Sequence, residues 1–139
     1  MSALPSIRDI YADYELLDGE ERYRLLIDLG RQLEPMPEAL KTDATRVRGC
    51  SASVWVYPTV ADGRLHFLAD SNAAITKGVV ALVLSAVQDK PAAEVAEIDV
   101  AEVLAPFELR KHLSANRTQG VPNMIALVQQ TARRFATAA

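Results

Sequence analysis

Hydrophobic positions recur with a helical period at both ends of this chain and with a period of two in its middle. Residues 6–14 space Ile7, Ile10, Tyr11 and Tyr14 for a short opening helix. Asp18-Gly19-Glu20-Glu21 supplies an N-cap with a carboxylate three residues on, a variant of the capping box. The helix it starts carries Tyr23, Leu26, Ile27, Gly30 and Leu33 on one face, and Glu20, Arg24, Asp28 and Arg31 on a solvated opposite face. Pro35 and Pro37 are expected to end that helix and open a linker to about Thr45.

From Arg46 the period changes. Val54 and Val56 alternate with Trp55 and Tyr57, Asp62-Gly63 is a hairpin turn, and Leu65-His66-Phe67-Leu68-Ala69 returns antiparallel. Pro58 cannot donate to a ladder, which places its strand at an edge or a bulge. Arg46 to Arg48 is expected to add a short strand beyond the loop that follows it. Asp70-Ser71-Asn72 reads as the cap of a helix over about 73–88, apolar nearly all round and hence buried, with Gly78 packed closely on the sheet. Pro91 starts a short helix, Pro106 breaks the mixed stretch 98–107, and 107–113 is helical. Residues 114–120 form a polar loop. A last helix near 121–136 has Pro122 in its first turn and Val121, Met124, Ile125, Val128 and Phe135 inward. The sum is an α+β fold: a small antiparallel sheet of about three strands, with its hairpin near 53–69, packed against several helices.

Composition narrows the class. At 139 residues with 50% hydrophobic side chains the chain can bury a core as one domain. A net charge of −3 gives no basic face for nucleic acid. The longest apolar run, Gly78 to Leu84, is far below the roughly 20 residues a membrane span needs. No charged-then-apolar signal opens the chain, and the single cysteine cannot close an internal disulfide, so a cytoplasmic location is expected.

Candidate chemistry gathers at Arg46-Val47-Arg48-Gly49-Cys50-Ser51, which holds the only thiol. A lone cysteine is either a small buried hydrophobe or a reactive thiol. Gly49 and Ser51 favour an exposed polar loop, and Arg46 and Arg48 would lower the thiol pKa and favour the thiolate. These residues alone leave both readings open. His66 and His112 could each pair with Cys50 in a hydrolase, although no cysteine-protease signature surrounds it. One cysteine and two dispersed histidines are too few for a zinc site. Arg117, among short polar residues, is a solvated side chain or an anion contact.

Three stretches together resemble the SufE/CsdE family of sulfur-acceptor proteins, which serve cysteine desulfurases in iron–sulfur cluster assembly. They are Arg48-Gly49-Cys50 with Val54-Trp55, Asp70-Ser71-Asn72-Ala73-Ala74-Ile75 with Lys77-Gly78, and Leu113-Ser114 with Arg117 and Gly120. The resemblance spans essentially the whole chain and implies a single SufE-like domain over 1–139. It implies that Cys50 is the persulfide-forming nucleophile. Cys50 would take sulfur from a pyridoxal-phosphate-dependent desulfurase of the SufS/CsdA kind, stimulate that enzyme, and pass sulfur to an assembly scaffold. Arg117 would contact an anion or the partner, and Arg46, Arg48, Gly49, Ser51, Asp70, Asn72 and Lys77 would form the partner-contacting set. Pyridoxal phosphate would belong to the partner, leaving this chain with no cofactor, no metal and no turnover of its own. The alternatives are an independent thiol hydrolase and a non-catalytic module that binds a desulfurase.

Overall fold

The apolar run at 74–87 is the axis of the molecule. In the computed structural model, which describes residues 4–137 apart from the Arg117 side chain, it forms helix α3 (Ala74–Val87), with ten of its residues buried. Helix α2 (Gly19–Gly30) crosses it almost backbone to backbone. A Cβ on Gly78 would overlap the Leu26 carbonyl oxygen, and one on Gly30 would sit 2.8 Å from the Gly78 nitrogen. Gly78 was expected to pack on the sheet. It packs on α2, because the two glycines leave a gap that lets the helices approach this closely.

The Asp18 cap follows the sequence, and the structure adds a Ser6 cap that the sequence pattern did not single out. Ser6 accepts from the Asp9 amide at the start of α1 (Ile7–Tyr14), and Asp18 accepts from the Glu21 amide at the start of α2, each at 3.1 Å. Helix α2 ends at Gly30, five residues before Pro35. Past it, Leu33 and Met36 are buried, so the connecting segment leaves the helix in order to pack inward. Tyr23, expected on the apolar face, is exposed.

The hairpin pairs β1 (Val54–Ala61) with β2 (Arg64–Ser71), from Val54 opposite Ser71 to Ala61 opposite Arg64. Asp62 and Gly63 both take positive φ (54° and 75°), as a two-residue turn of primed type requires. Val54, Val56, Leu65, Phe67 and Ala69 are its buried face. The sheet has three strands in the order β1-β2-β3, which leaves Pro58 on an outer strand. The third strand is not the one expected at 46–48. It is β3 (Lys90–Pro91), on the far side of β2. Residues 45–47 make two backbone bonds to β1, Val47 amide to Val54 carbonyl and Val56 amide to Thr45 carbonyl, both 2.8 Å, and one bridge, Arg46 to Trp55. Gly49, at φ 83°, then turns the chain out of line and ends the pairing.

Short helices α4 (Ala92–Glu97), α5 (Val100–Leu104) and α6 (Leu109–His112) lead to α7 (Ala115–Thr118), one helical turn inside a segment expected to be loop. Helix α8 (Val121–Thr137) closes the fold, with Met124, Ile125, Val128 and Ala132 buried. The result is an α+β architecture in which α3 is covered by α2 on one side and reached by the sheet, α7 and α8 elsewhere.

Candidate functional site

The loop 48–53 leaves the Arg46 bridge and enters β1, and three elements hold it by side-chain hydrogen bonds. Asn123, in the first turn of α8, donates through Nδ2 to the Arg48 carbonyl at 2.8 Å. Gln119, at the corner between α7 and α8, donates through Nε2 to Ser51 Oγ at 2.8 Å. At the far end the Ser53 amide donates to Asn72 Oδ1 at 3.1 Å. A Cβ on Gly49 would overlap the Asn123 amide, and one on Gly120 would overlap Cys50 Sγ. The thiol therefore lies flat against the Gly120 backbone, a contact only glycine allows.

Cys50 is half-buried. Beneath it is a small apolar cavity of about 20 Å³, reached by Ala52, Val54, Thr76, Val79, Val80 and Met124, room for roughly one water. Burial pushes the Cys50 thiol pKa up, and the nearby Arg46 guanidinium only partly opposes it. The sequence suggested an exposed, partly ionised thiol, and the structure corrects this: Cys50 is half-buried, and its burial disfavours the thiolate. Of the two arginines expected to activate it, Arg46 acts on the thiol through its charge, while Arg48 is exposed and contributes its backbone carbonyl to the loop's bracing.

Asp70 and Asn72 were read as a helix cap and, with Lys77, as partner contacts. The cap is absent: β2 runs on to Ser71, and α3 follows Ala73 with no side-chain hydrogen bond at its cap position. Asp70 instead holds Lys41 at 2.6 Å and Lys77 at 3.2 Å, with only 16% of its side chain exposed. Burial raises the pKa of the Asp70 carboxyl, but bonds from Lys41, the Ser71 amide and Lys77 together outweigh it and hold the group below the usual range. Lys41 also lies over the Trp55 ring, 5.7 Å from its centroid. This cluster ties the linker, the hairpin end and α3 together. The anion contact expected of Arg117 concerns a side chain outside the described residues.

Neither histidine serves the thiol. His66 sits between Asp89 (2.7 Å) and Glu34 (3.0 Å), and His112 accepts from Arg22 at 3.0 Å beside the Tyr14 ring. Neither lines the Cys50 cavity. Among the described residues no group of three or more His, Cys, Asp or Glu side chains could hold a metal, and no helix is long and apolar enough to cross a membrane. Gln119 and Asn123 escaped the sequence reading because nothing local marks them. Gly120 was noticed for its spacing, not for its contact with the thiol.

Fold and site together define a small α+β protein that presents one sheltered thiol on a braced loop. A sequence model of the SufE family, described as an Fe-S metabolism associated domain, matches residues 8–132. The chain is 39% identical over 117 residues to the sulfur acceptor protein CsdE of Escherichia coli (strain K12), covering 84% of this chain and 78% of that one. It is 35% identical over 134 residues to a SufE-like protein of Rhizobium meliloti (strain 1021), covering 93% and 96%. A solution structure of a hypothetical protein from Thermus thermophilus shares the fold at TM-score 0.77 and 18% identity, over 97% of this chain and 98% of that one. The chain belongs to the SufE family.

Proposed function

We propose that this protein is a sulfur acceptor that takes persulfide sulfur onto Cys50 from a pyridoxal-phosphate-dependent cysteine desulfurase and hands it to an iron–sulfur assembly scaffold. One observation carries the reading: the only thiol of a SufE-family chain lies on a loop that side-chain hydrogen bonds hold down over a small apolar cavity. In the transfer, Cys50 loses its proton and Sγ attacks the outer sulfur of the partner's persulfide. The partner's S–S bond breaks, a new S–S bond forms on Cys50, and the partner cysteine leaves as a thiolate that can take up a proton. The exchange involves no net oxidation. A thiol with a raised pKa is a poor nucleophile at rest. The desulfurase is expected to draw the loop out from under Gly120, where Arg46 and solvent favour the thiolate. The sheltered state keeps the thiol unreactive between partners.

The hydrolase reading lacks a base, since both histidines are engaged elsewhere. The binding-module reading makes a separable claim. Turnover of a cysteine desulfurase of this family's partner class, followed as alanine released from cysteine, distinguishes it. The expected result is stimulation by the wild type and none by Cys50→Ser. Equal stimulation by both would leave a module that binds without accepting sulfur.

A further inference from the structure

The face made by α1 and α2 takes no part in the Cys50 cavity, and the segment that forms it holds the chain's excess of acidic over basic charge. The first 34 residues hold eight acidic and four basic side chains, against ten and eleven in the rest. Between the two helices runs an open groove of about 380 Å³. Its floor is apolar: Ile10 and Leu29 are buried, Leu17 and Leu25 partly so. Its rim bears the exposed carboxylates of Asp9, Asp13, Glu21 and Asp28. Arg24, the one basic side chain lining it, is paired to Glu20 at 3.1 Å, and Asp28 holds Arg31 at 3.1 Å. Asp9, Asp13 and Glu21 hold no ion pair among the described residues. In the turn beside the groove, Leu16 is 83% exposed.

An apolar floor under an acidic rim is the complement of an amphipathic helix with basic flanks. Asp9 and Asp13 are one turn apart on α1, and Leu25 and Leu29 one turn apart on α2, the repeat a docked helix would match. We propose that the α1–α2 groove docks a basic amphipathic helix of a partner protein, its apolar side chains on the floor and its lysines or arginines along the acidic rim. The same carboxylates repel an anionic lipid surface, which leaves protein as the occupant. The groove shares no lining residue with the Cys50 cavity, so docking here does not depend on the thiol.

The probe is a synthetic leucine–lysine peptide of roughly five helical turns, with leucines at i, i+3 and i+4 spacing. It is titrated into the isotope-labelled full chain and followed by amide chemical shifts. The expected shifts lie on α1, α2 and the Leu16 turn, unchanged in Cys50→Ser. Asp9→Asn with Asp13→Asn should weaken binding about tenfold, and Leu16→Ser about threefold. A control, Glu94→Gln with Glu97→Gln on α4, removes the same charge from another exposed helix and should cost less than about twofold. Shifts centred elsewhere, equal binding of a scrambled peptide of the same composition, or equal losses from the two carboxylate pairs would overturn the proposal. Because Leu16 and the four carboxylates are exposed, folding of every variant can be checked independently by circular dichroism.

Discussion

The α2–α3 crossing and the Cys50 loop both rely on a glycine that admits no Cβ, yet they are built oppositely. At the crossing, Gly30 and Gly78 bring two main chains together inside a core where Leu26, Leu82 and Leu84 are at most 1% exposed. At the loop, Gly120 lies against a side chain, and hydrogen bonds to the side chains of Gln119, Asn123 and Asn72 add to the hold. A helix backbone cannot step aside without unfolding. A thiol can rotate, and a hydrogen bond to solvent can replace one within the protein at a net cost of only about 1 kcal/mol. The first region fixes the frame, and the second is free to change state on it.

The largest effect should come from closing the gap at the crossing. Gly78→Ala gains about 1 kcal/mol of helix propensity. Overlap with the Leu26 carbonyl should reverse that, for a net loss of about 2–3 kcal/mol in denaturant unfolding. No change in the midpoint would mean that the helices are not so close.

Next is the brace between the two regions. Asp70→Asn removes the carboxylate shared by Lys41 and Lys77 and should cost about 1–2 kcal/mol at neutral pH. The carboxyl's folded pKa lies below its unfolded one, so its contribution is present above the ordinary Asp range and lost as pH falls through the lower, folded value. Unfolding midpoints measured between about pH 3 and 7 should therefore fall less steeply toward acid in the variant than in the wild type.

At the loop the stability effects shrink and the chemical ones grow. Gly120→Ala should cost about 1 kcal/mol, because the thiol can turn away from the new methyl and the loop backbone at Cys50 Cα, 3.2 Å from it, need shift only slightly. It should speed Cys50 alkylation near neutral pH severalfold, since loss of shelter lowers the thiol pKa and raises the thiolate fraction. The pH midpoint of alkylation should fall with it. Gln119→Ala and Asn123→Ala each remove one hydrogen bond, for about 0.5–1 kcal/mol and a smaller gain in alkylation. If these variants alkylate like wild type while Gly78→Ala speeds the reaction, the contrast between frame and loop is wrong.

What the sequence revealed divides along similar lines. The Asp18 cap, the Asp62-Gly63 turn and the apolar runs of α3 and α8 are local signals, and the structure follows them. The misreadings fall where distant groups prevail over local ones. Asp70 looked like a cap but is taken by two lysines, one of them 29 residues earlier in the chain. Arg46 to Arg48 looked like a third strand; residues 45–47 bridge to β1, but the sheet's third strand is the distant Lys90–Pro91 on the other side of β2. At the site, Cys50 stood out by type and neighbours. Its shelter did not, because Gln119 and Asn123 reach the loop from 68 and 75 residues away. The neighbouring arginines pointed to a thiolate, and only the fold reveals that burial outweighs them.

The central claim is that Cys50 accepts sulfur. Its most direct test is the intact mass of the protein after incubation with a cysteine desulfurase and free cysteine, with a peptide map to place any addition. The predicted result is a gain of sulfur on the peptide bearing Cys50, reversed by a thiol reductant and absent in Cys50→Ser. An unchanged wild-type mass, or equal addition to the variant, would contradict it.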